Sequence, residues 1–303
     1  MGNYLIKIAR WTQPDFLGLA RRSKRAQLIT VSYSHFAEFA RWSLQLRQIA
    51  FDEHKYAPLQ HVLPVLAARF PSASMSRHLS TTSKMKTWSS NGNPKQSNGA
   101  TSIPLCILPD GTVLRDSWEI ASFAGLEPPS PELKLILDED LGPLARQYIY
   151  SYVLKPSNVN IWDALVTTNK GMLWRLFWWV YGKRMLTQTM HKMLRPMDAL
   201  VVNNCKDKLR ETVEKLGVLL QNSNGKYIQG ERLTAADIAI ASLASVLVFP
   251  PALCNGEFSG IFSQLQSQDS ELAQDVMYWR QTRIGEFVLF MYSEHRKSAP
   301  FFP

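Results

Sequence analysis

The stretch Ser102-Ile103-Pro104-Leu105-Cys106-Ile107-Leu108-Pro109-Asp110-Gly111-Thr112-Val113-Leu114-Arg115-Asp116-Ser117 reads as strand, tight turn, strand and helix start. Asp110-Gly111 between two apolar runs is a strong hairpin signal, because glycine takes the positive φ that such turns need. Proline cannot donate to a strand ladder, so Pro104 belongs at a strand's first residue or on an edge. Asp116 and Ser117 suit the N-terminus of a helix predicted over Trp118 to Ala124. An open backbone edge beside a helix N-terminus makes a corner that favours a small anionic peptide.

The 303 residues can bury a sizeable core and suggest two domains. The net charge of +9 is unevenly placed. Residues 1–25 carry six Lys or Arg against Asp15 alone, and residues 69–100 carry five with no acid. The remainder, with 23 bases and 24 acids, is nearly neutral. The excess therefore sits in two segments that read as poorly ordered, and a nucleic-acid binder would instead carry a basic face on its fold. Cys106, Cys205 and Cys254 are far apart and form no metal-ligand spacing, so neither a disulfide framework nor a metal site is expected. No apolar run reaches the length of a membrane span. Met172 to Val180 (MLWRLFWWV) comes nearest and reads as a Trp-rich core helix. A membrane-surface helix or a partner-binding face is its alternative reading, and membrane association is not expected.

The N-terminal 25 residues read as a basic extension or an organelle transit segment. Gln27 to Ser32 is a buried strand candidate. Ala37 to Ile49 has helical spacing, with Glu38, Arg41, Gln45 and Gln48 off its apolar stripe. Phe51 to Tyr56 reads as a second strand, parallel to the first across a helix. Pro58 is placed to open a helix ending near Phe70-Pro71. Residues 71–101, rich in Ser, Asn and Thr, read as a long flexible insertion. Residues 127–131 (EPPSP) read as a linker. Beyond it the periodicity is helical over Pro131–Tyr152, Gly171–Met193, Pro196–Gln221, Thr234–Val248 and Glu271–Glu294. The expected organisation is a basic extension (1–25), a small α/β domain (26–126) and an all-helical domain (132–303).

In YIQGERLTAADIAIA, residues 227–241, Thr234 and Asp237 form the carboxylate variant of a capping box, with Leu233 and Ile238 placed as a hydrophobic staple. Together with residues 102–117, this segment resembles the glutathione S-transferase family. The likeness covers roughly residues 26–126 and 131–250. Ser34-His35-Phe36-Ala37-Glu38-Phe39-Ala40-Arg41-Trp42 is similar to a subgroup stretch that runs Ser-His-Tyr-Cys-Glu-Lys-Ala-Arg-Trp.

The resemblance implies a thioredoxin-like α/β domain followed by an all-α helical-bundle domain, with glutathione as cosubstrate and no metal. It implies a homodimer and conjugation of glutathione to an electrophilic small molecule, as in detoxification; a cytoplasmic setting is expected, with a mitochondrion or plastid as the alternative read from the basic N-terminal extension. Pro104 would be cis, and the backbone of Ile103 would pair with the cysteinyl unit like an added strand. Ser117 and Asp116 would take the γ-glutamyl end. The family's thiol-activating Ser, Cys or Tyr stands near the first helix's start, but the Cys of the similar subgroup is replaced here by Ala37. Ser34 could donate to the sulfur or be a helix N-cap; Tyr33 could donate a phenol; His35 reads as a loop or capping residue. A noncatalytic glutathione-binding or protein-interaction member of the same fold is the alternative that Ala37 motivates.

Overall fold

The computed structural model describes residues 2–69 and 101–296. These fall into two compact units, one ending at Leu126 and the other beginning at Glu127. The insertion expected over residues 71–101 lies, apart from Thr101, outside the described residues.

The first unit contains helices α1 (Gly2–Thr12) and α2 (Phe16–Ser23), strand β1 (Ala26–Val31), helix α3 (His35–Leu46) and strand β2 (Phe51–Tyr56). Helix α4 (Val62–Arg69), strands β3 (Leu105–Ile107) and β4 (Val113–Leu114) and helix α5 (Ser117–Phe123) follow. The sheet order is β2-β1-β3-β4, with β1 parallel to β2 and antiparallel to β3, and β3 antiparallel to β4. This strand order with a crossover helix is thioredoxin-like. Every residue of β1 is buried because both faces of the sheet are covered. One face packs Leu28, Cys106 and Leu114 against Ala40 and Leu44 of α3 and Ile120 of α5. The other packs Ile29, Leu105 and Ile107 against Phe16 and Leu17 of α2 and Val65 and Ala68 of α4.

That second face corrects the reading of residues 1–25 as a poorly ordered extension. Phe16, Leu17 and Ala20 bury one side of α2, Asp15 caps it by accepting from Gly18 N, and α1 lies against α4. The basic residues occupy the opposite, solvated sides of these helices, which net charge alone does not reveal. Helix α3 starts at His35, not Ala37, because Ser34 caps it, and it stops at Leu46 because Gln48 turns left-handed at φ 53°. Pro58 opens a turn rather than a helix: Leu59 has φ 71°, which no α-helix accommodates, so α4 begins at Val62. Strand β3 lies inside the sheet rather than at its edge, and Pro104 stands just ahead of its ladder.

The second unit is helical. Pro131–Leu135, Ile136–Leu141 and Gly142–Val153 run on as one helix, α6, with a π-helical middle, followed by α7 (Val159–Thr167). Met172–Phe177, the π-helical Trp178–Gly182 and Lys183–Leu194 form α8. Helix α9 (Ala199–Asn222) buries Cys205, Leu209, Val213, Leu216 and Leu220 along one side. Helix α10 (Ala235–Leu243) is capped by Thr234 and Asp237 and buried throughout. Ser245–Val248 and Ser259–Gln268 follow as α11 and α12. The helical stretch expected over 271–294 divides at Thr282, which caps Arg283–Met291 (α14) after Ser270–Gln281 (α13).

Residues 172–181 depart furthest from expectation. Trp178 is buried, but Met172, Leu173, Leu176, Trp179, Val180 and Tyr181 are exposed, so this is not a core helix.

Candidate functional site

The register of the sheet brings the predicted site residues to one end of the first unit. Ile29 pairs with Leu105, the last pair of that ladder, so Val31 at the end of β1 and Ile103 ahead of β3 both lie at this end of the sheet. Cys106 pairs with Leu114 and Ile107 with Val113, and Pro104 and Asp116 lie just beyond the end of that two-pair ladder. Three segments therefore lie at the end of the sheet where β1 and β4 end and β3 begins. They are the turn carrying Tyr33 and Ser34, the Ile103-Pro104 pair and the Asp116-Ser117 pair. The Ile103–Pro104 peptide is cis. Ile103 lies two residues ahead of the first registered pair of β3. Helices α3 and α5 both start from this end, and helix N-termini favour negative charge.

Each segment is locally fixed. Asp116 is the N-cap of α5, its Oδ1 accepting from Glu119 N at 2.8 Å, and Glu119 Oε2 accepts from Arg115 N at 2.7 Å. Ser117 is buried in the first turn of that helix. Ser34 Oγ accepts from Ala37 N at 3.4 Å, which supports the N-cap reading of this residue. Accepting through one lone pair leaves the hydroxyl proton available for donation. Tyr33 is half-buried in the preceding turn, His35 is buried as the first residue of α3, and Ala37 is fully enclosed.

Two further features escaped the sequence reading. Arg69, at the end of α4, donates from Nη2 to Ser102 Oγ at 2.8 Å, Ser102 O at 3.2 Å and Arg115 O at 3.4 Å. It thus ties the residue before Ile103 to the residue before Asp116. Burial and the neighbouring Arg115 lower its pKa, against the pull of Glu119 and Asp116. Burial raises the Glu119 pKa, as does the adjacent Asp116, while the Arg115 backbone donor opposes the shift.

The second feature is a buried ion cluster beneath the Tyr33-Ser34 turn. Glu38 and Arg41, expected off the apolar stripe and therefore in solvent, are 0% and 1% exposed. Arg41 Nη1 pairs with Glu38, Nη2 donates to Glu53 Oε1 at 2.7 Å and Nε to Oε2 at 3.0 Å. Nη2 also donates to the Ser32 carbonyl at 3.3 Å, and Thr30 Oγ1 donates to Glu53 Oε1 at 2.7 Å. Burial alone would raise the Glu53 pKa; Arg41 and Thr30 outweigh it and hold the carboxyl below its ordinary value. Helical periodicity marks polar residues as outward-facing, so it misses a charge that is buried because its partners are buried too.

The cysteines do not supply a nucleophile at this end of the sheet. Burial pushes the Cys106 thiol up to about 12, and Cys205 to about 11 despite Lys206 nearby. Among the described residues no cluster of His, Cys, Asp or Glu could hold a metal ion. The second unit carries a groove of about 610 Å³ lined in part by Arg210, Glu214, Tyr278 and Arg283.

No protein-family model and no curated protein matches the chain. The solved structures similar to it include a glutathione S-transferase from Methylobacillus flagellatus KT with glutathione bound. It is 15% identical over 87% of this chain and 98% of the other, with a TM-score of 0.37. A glutathione transferase from Phanerochaete chrysosporium is 13% identical over 88% and 97% of the two chains, with a TM-score of 0.48. A glutathione S-transferase from Methylobacterium radiotolerans JCM 2831, in complex with glutathione sulfonate, is 15% identical over 92% and 96%, with a TM-score of 0.37. The assignment of a thioredoxin-like unit followed by an all-helical unit rests on the strand order and helix content of the chain itself.

Proposed function

We propose that the first unit binds glutathione at the sheet end where Ile103, Pro104, Asp116 and Ser117 meet. The supporting observation is Arg69, which donates to Ser102 Oγ at 2.8 Å and to Arg115 O at 3.4 Å and so ties the residue before Ile103 to the residue before Asp116. The N–H and C=O of Ile103 take the cysteinyl backbone as an added strand. Ser117 and its backbone N–H take the γ-glutamyl carboxylate, with α5 contributing its positive end. The Asp116 carboxylate, whose Oδ1 caps α5, takes the γ-glutamyl ammonium, directly or across a homodimer. Arg69 positions both flanks through Ser102 and Arg115 and touches no part of the peptide in this account.

The reaction that follows is conjugation. The glutathione thiolate attacks an electrophilic carbon of a small molecule, a C–S bond forms, and the leaving group departs with the electron pair. A free thiol with a pKa near 8.5 is mostly protonated at neutral pH, so the sulfur needs a donor. Ser34 supplies it through its hydroxyl, aided by the start of α3, and Tyr33 is the second candidate.

One observation favours a noncatalytic glutathione binder instead: Ala37, at the position of the subgroup's cysteine, carries no donor and is fully enclosed. A conjugation assay with chlorodinitrobenzene distinguishes the two. The catalytic reading expects turnover by the wild type and a loss of roughly a hundredfold or more in Ser34→Ala, the worth of one general-acid or thiolate-stabilising group. No turnover by a protein that binds glutathione establishes the noncatalytic reading, and full turnover in Ser34→Ala removes the role given to Ser34.

A further inference from the structure

Helix α8 is held to the second unit by one side only. Trp178 Nε1 donates to Asp163 Oδ1 at 2.9 Å, and Lys183 Nζ to Asp163 Oδ2 at 2.7 Å. Trp162 Nε1 donates to Thr187 Oγ1 at 3.1 Å, and its ring meets Trp178 edge-on. Leu186 and Leu194 complete the buried side. These contacts fix the helix against α7 and so fix what its other side displays.

That other side is apolar. Met172, Leu173, Leu176, Trp179 and Val180 recur at i, i+1, i+4, i+7 and i+8, the spacing of one helix face. Their exposures run from 56% for Val180 to 81% for Met172, and Tyr181 and Met185 stand exposed beside them. Single exposed apolar side chains are ordinary, whereas a contiguous patch marks an interaction surface. Past the π-helical turn at Trp178–Gly182, Lys183 turns towards Asp163 on the held side and Arg184 is exposed. Between Asp163 and Asp198 there is no acidic residue, while Lys170, Arg175, Lys183, Arg184, Lys192 and Arg195 are all basic. Lys183 is committed to Asp163 and lies 4.9 Å from the Trp179 ring centroid, so Arg175 and Arg184 are the cations directed to a partner.

We propose that this face of α8 docks on the surface of an anionic lipid bilayer, lying in the interface plane. Met172, Leu173, Leu176, Trp179 and Val180 enter the boundary between headgroups and acyl chains, and Arg175 and Arg184 reach the phosphates. Charge decides between the bilayer and a second copy of the chain. Self-association about a twofold axis brings each patch against itself, and with it Arg175 and Arg184 against their own kind. An anionic leaflet supplies the opposite charge. The contact is superficial: Trp178, Leu186 and Leu194 are spent inside the protein, and no helix among the described residues is long and apolar enough to cross a membrane. This docking concerns the second unit alone and stands independently of glutathione binding by the first.

The test is flotation of the full chain with vesicles of phosphatidylcholine containing about 30% phosphatidylserine, beside vesicles of phosphatidylcholine alone. The wild type should float with the anionic vesicles and bind at least roughly tenfold more weakly to the neutral ones. Leu176→Glu/Trp179→Glu should stay at the bottom of the gradient while its circular dichroism is unchanged. Arg184→Glu, at an exposed position, should bind more weakly and respond less to salt, and it keeps the test decisive if the double variant melts early. Absence of wild-type flotation overturns the proposal. So does undiminished flotation of both variants, which would move the contact to another surface such as exposed Trp11 of α1. A wild-type dimer that the double variant dissociates, with no vesicle binding, would assign the face to a second copy.

Discussion

Replacing Arg41 by Met tests how the Tyr33-Ser34 turn is held. Methionine fills much of the arginine stem's volume but carries no charge. In the wild type the guanidinium serves Glu38, both oxygens of Glu53 and the Ser32 carbonyl. The variant takes the shared guanidinium from the Glu38 and Glu53 carboxylates, while Thr30 still donates to Glu53. Removing one partner of a buried ion cluster costs about 3–5 kcal/mol, a large share of the roughly 5–15 kcal/mol that stabilises a domain. A urea slope near 2 kcal/mol/M turns this into a midpoint lowered by about 2 M. Hydrogen exchange at β1 amides assigns the loss to the first unit.

The pH dependence gives a second, independent check. In the wild type Glu53 has a folded pKa below its unfolded value, so its contribution is present above the unfolded pKa of about 4.5 and fades as the pH falls through the lowered folded value. Without Arg41, burial dominates and the folded pKa rises above the unfolded one. Stability then falls as the pH climbs through that raised value. The gap between Arg41→Met and wild type should therefore narrow from pH 7 towards pH 4.5. A loss below about 1 kcal/mol at pH 7, or a gap independent of pH, would refute the buried-cluster account.

Asp237→Ala should cost about 3 kcal/mol in urea unfolding, because its carboxylate accepts from Ile228 N, Thr234 N and Thr234 Oγ1 in a fully buried site. Asp237→Asn, which keeps one acceptor oxygen, should lose less. The three cysteines are all buried, so iodoacetamide at neutral pH should label none of them in the folded chain, and mass spectrometry should find them modified only after denaturant is added. Ser34→Ala should lower stability by about 1 kcal/mol through loss of the α3 cap, even before any effect on conjugation is read.

The parts of the fold written in local chemistry were legible in the sequence. Gly111 adopts φ 99° between β3 and β4, Asp116 caps α5, and Thr234 with Asp237 opens α10, each read from a few adjacent residues. The placing of Pro104 and Asp116 at one end of the sheet follows from the same hairpin, since one turn fixes the register of both strands. What composition suggested fared worse wherever the outcome hangs on distant partners. Residues 1–25 are basic, yet Phe16 and Leu17 find the second face of the sheet. Glu38 and Arg41 are charged, yet Glu53 arrives from β2 to bury them. Residues 172–181 are apolar, yet Trp178 and Trp174 find partners in Asp163 and Val166 while Met172, Leu173, Leu176, Trp179, Val180 and Tyr181 stay outside. Arg69 carried no signal in sequence, because its contacts at Ser102 and Arg115 lie 33 and 46 residues away.

Isothermal titration of glutathione into the full chain, wild type beside Ser117→Ala, tests the central claim most directly. Saturable binding of one glutathione per chain is predicted, weakened about tenfold or more in Ser117→Ala by the loss of one hydrogen bond to a carboxylate. No heat of binding with the wild type, or equal affinity in the two proteins, would contradict it.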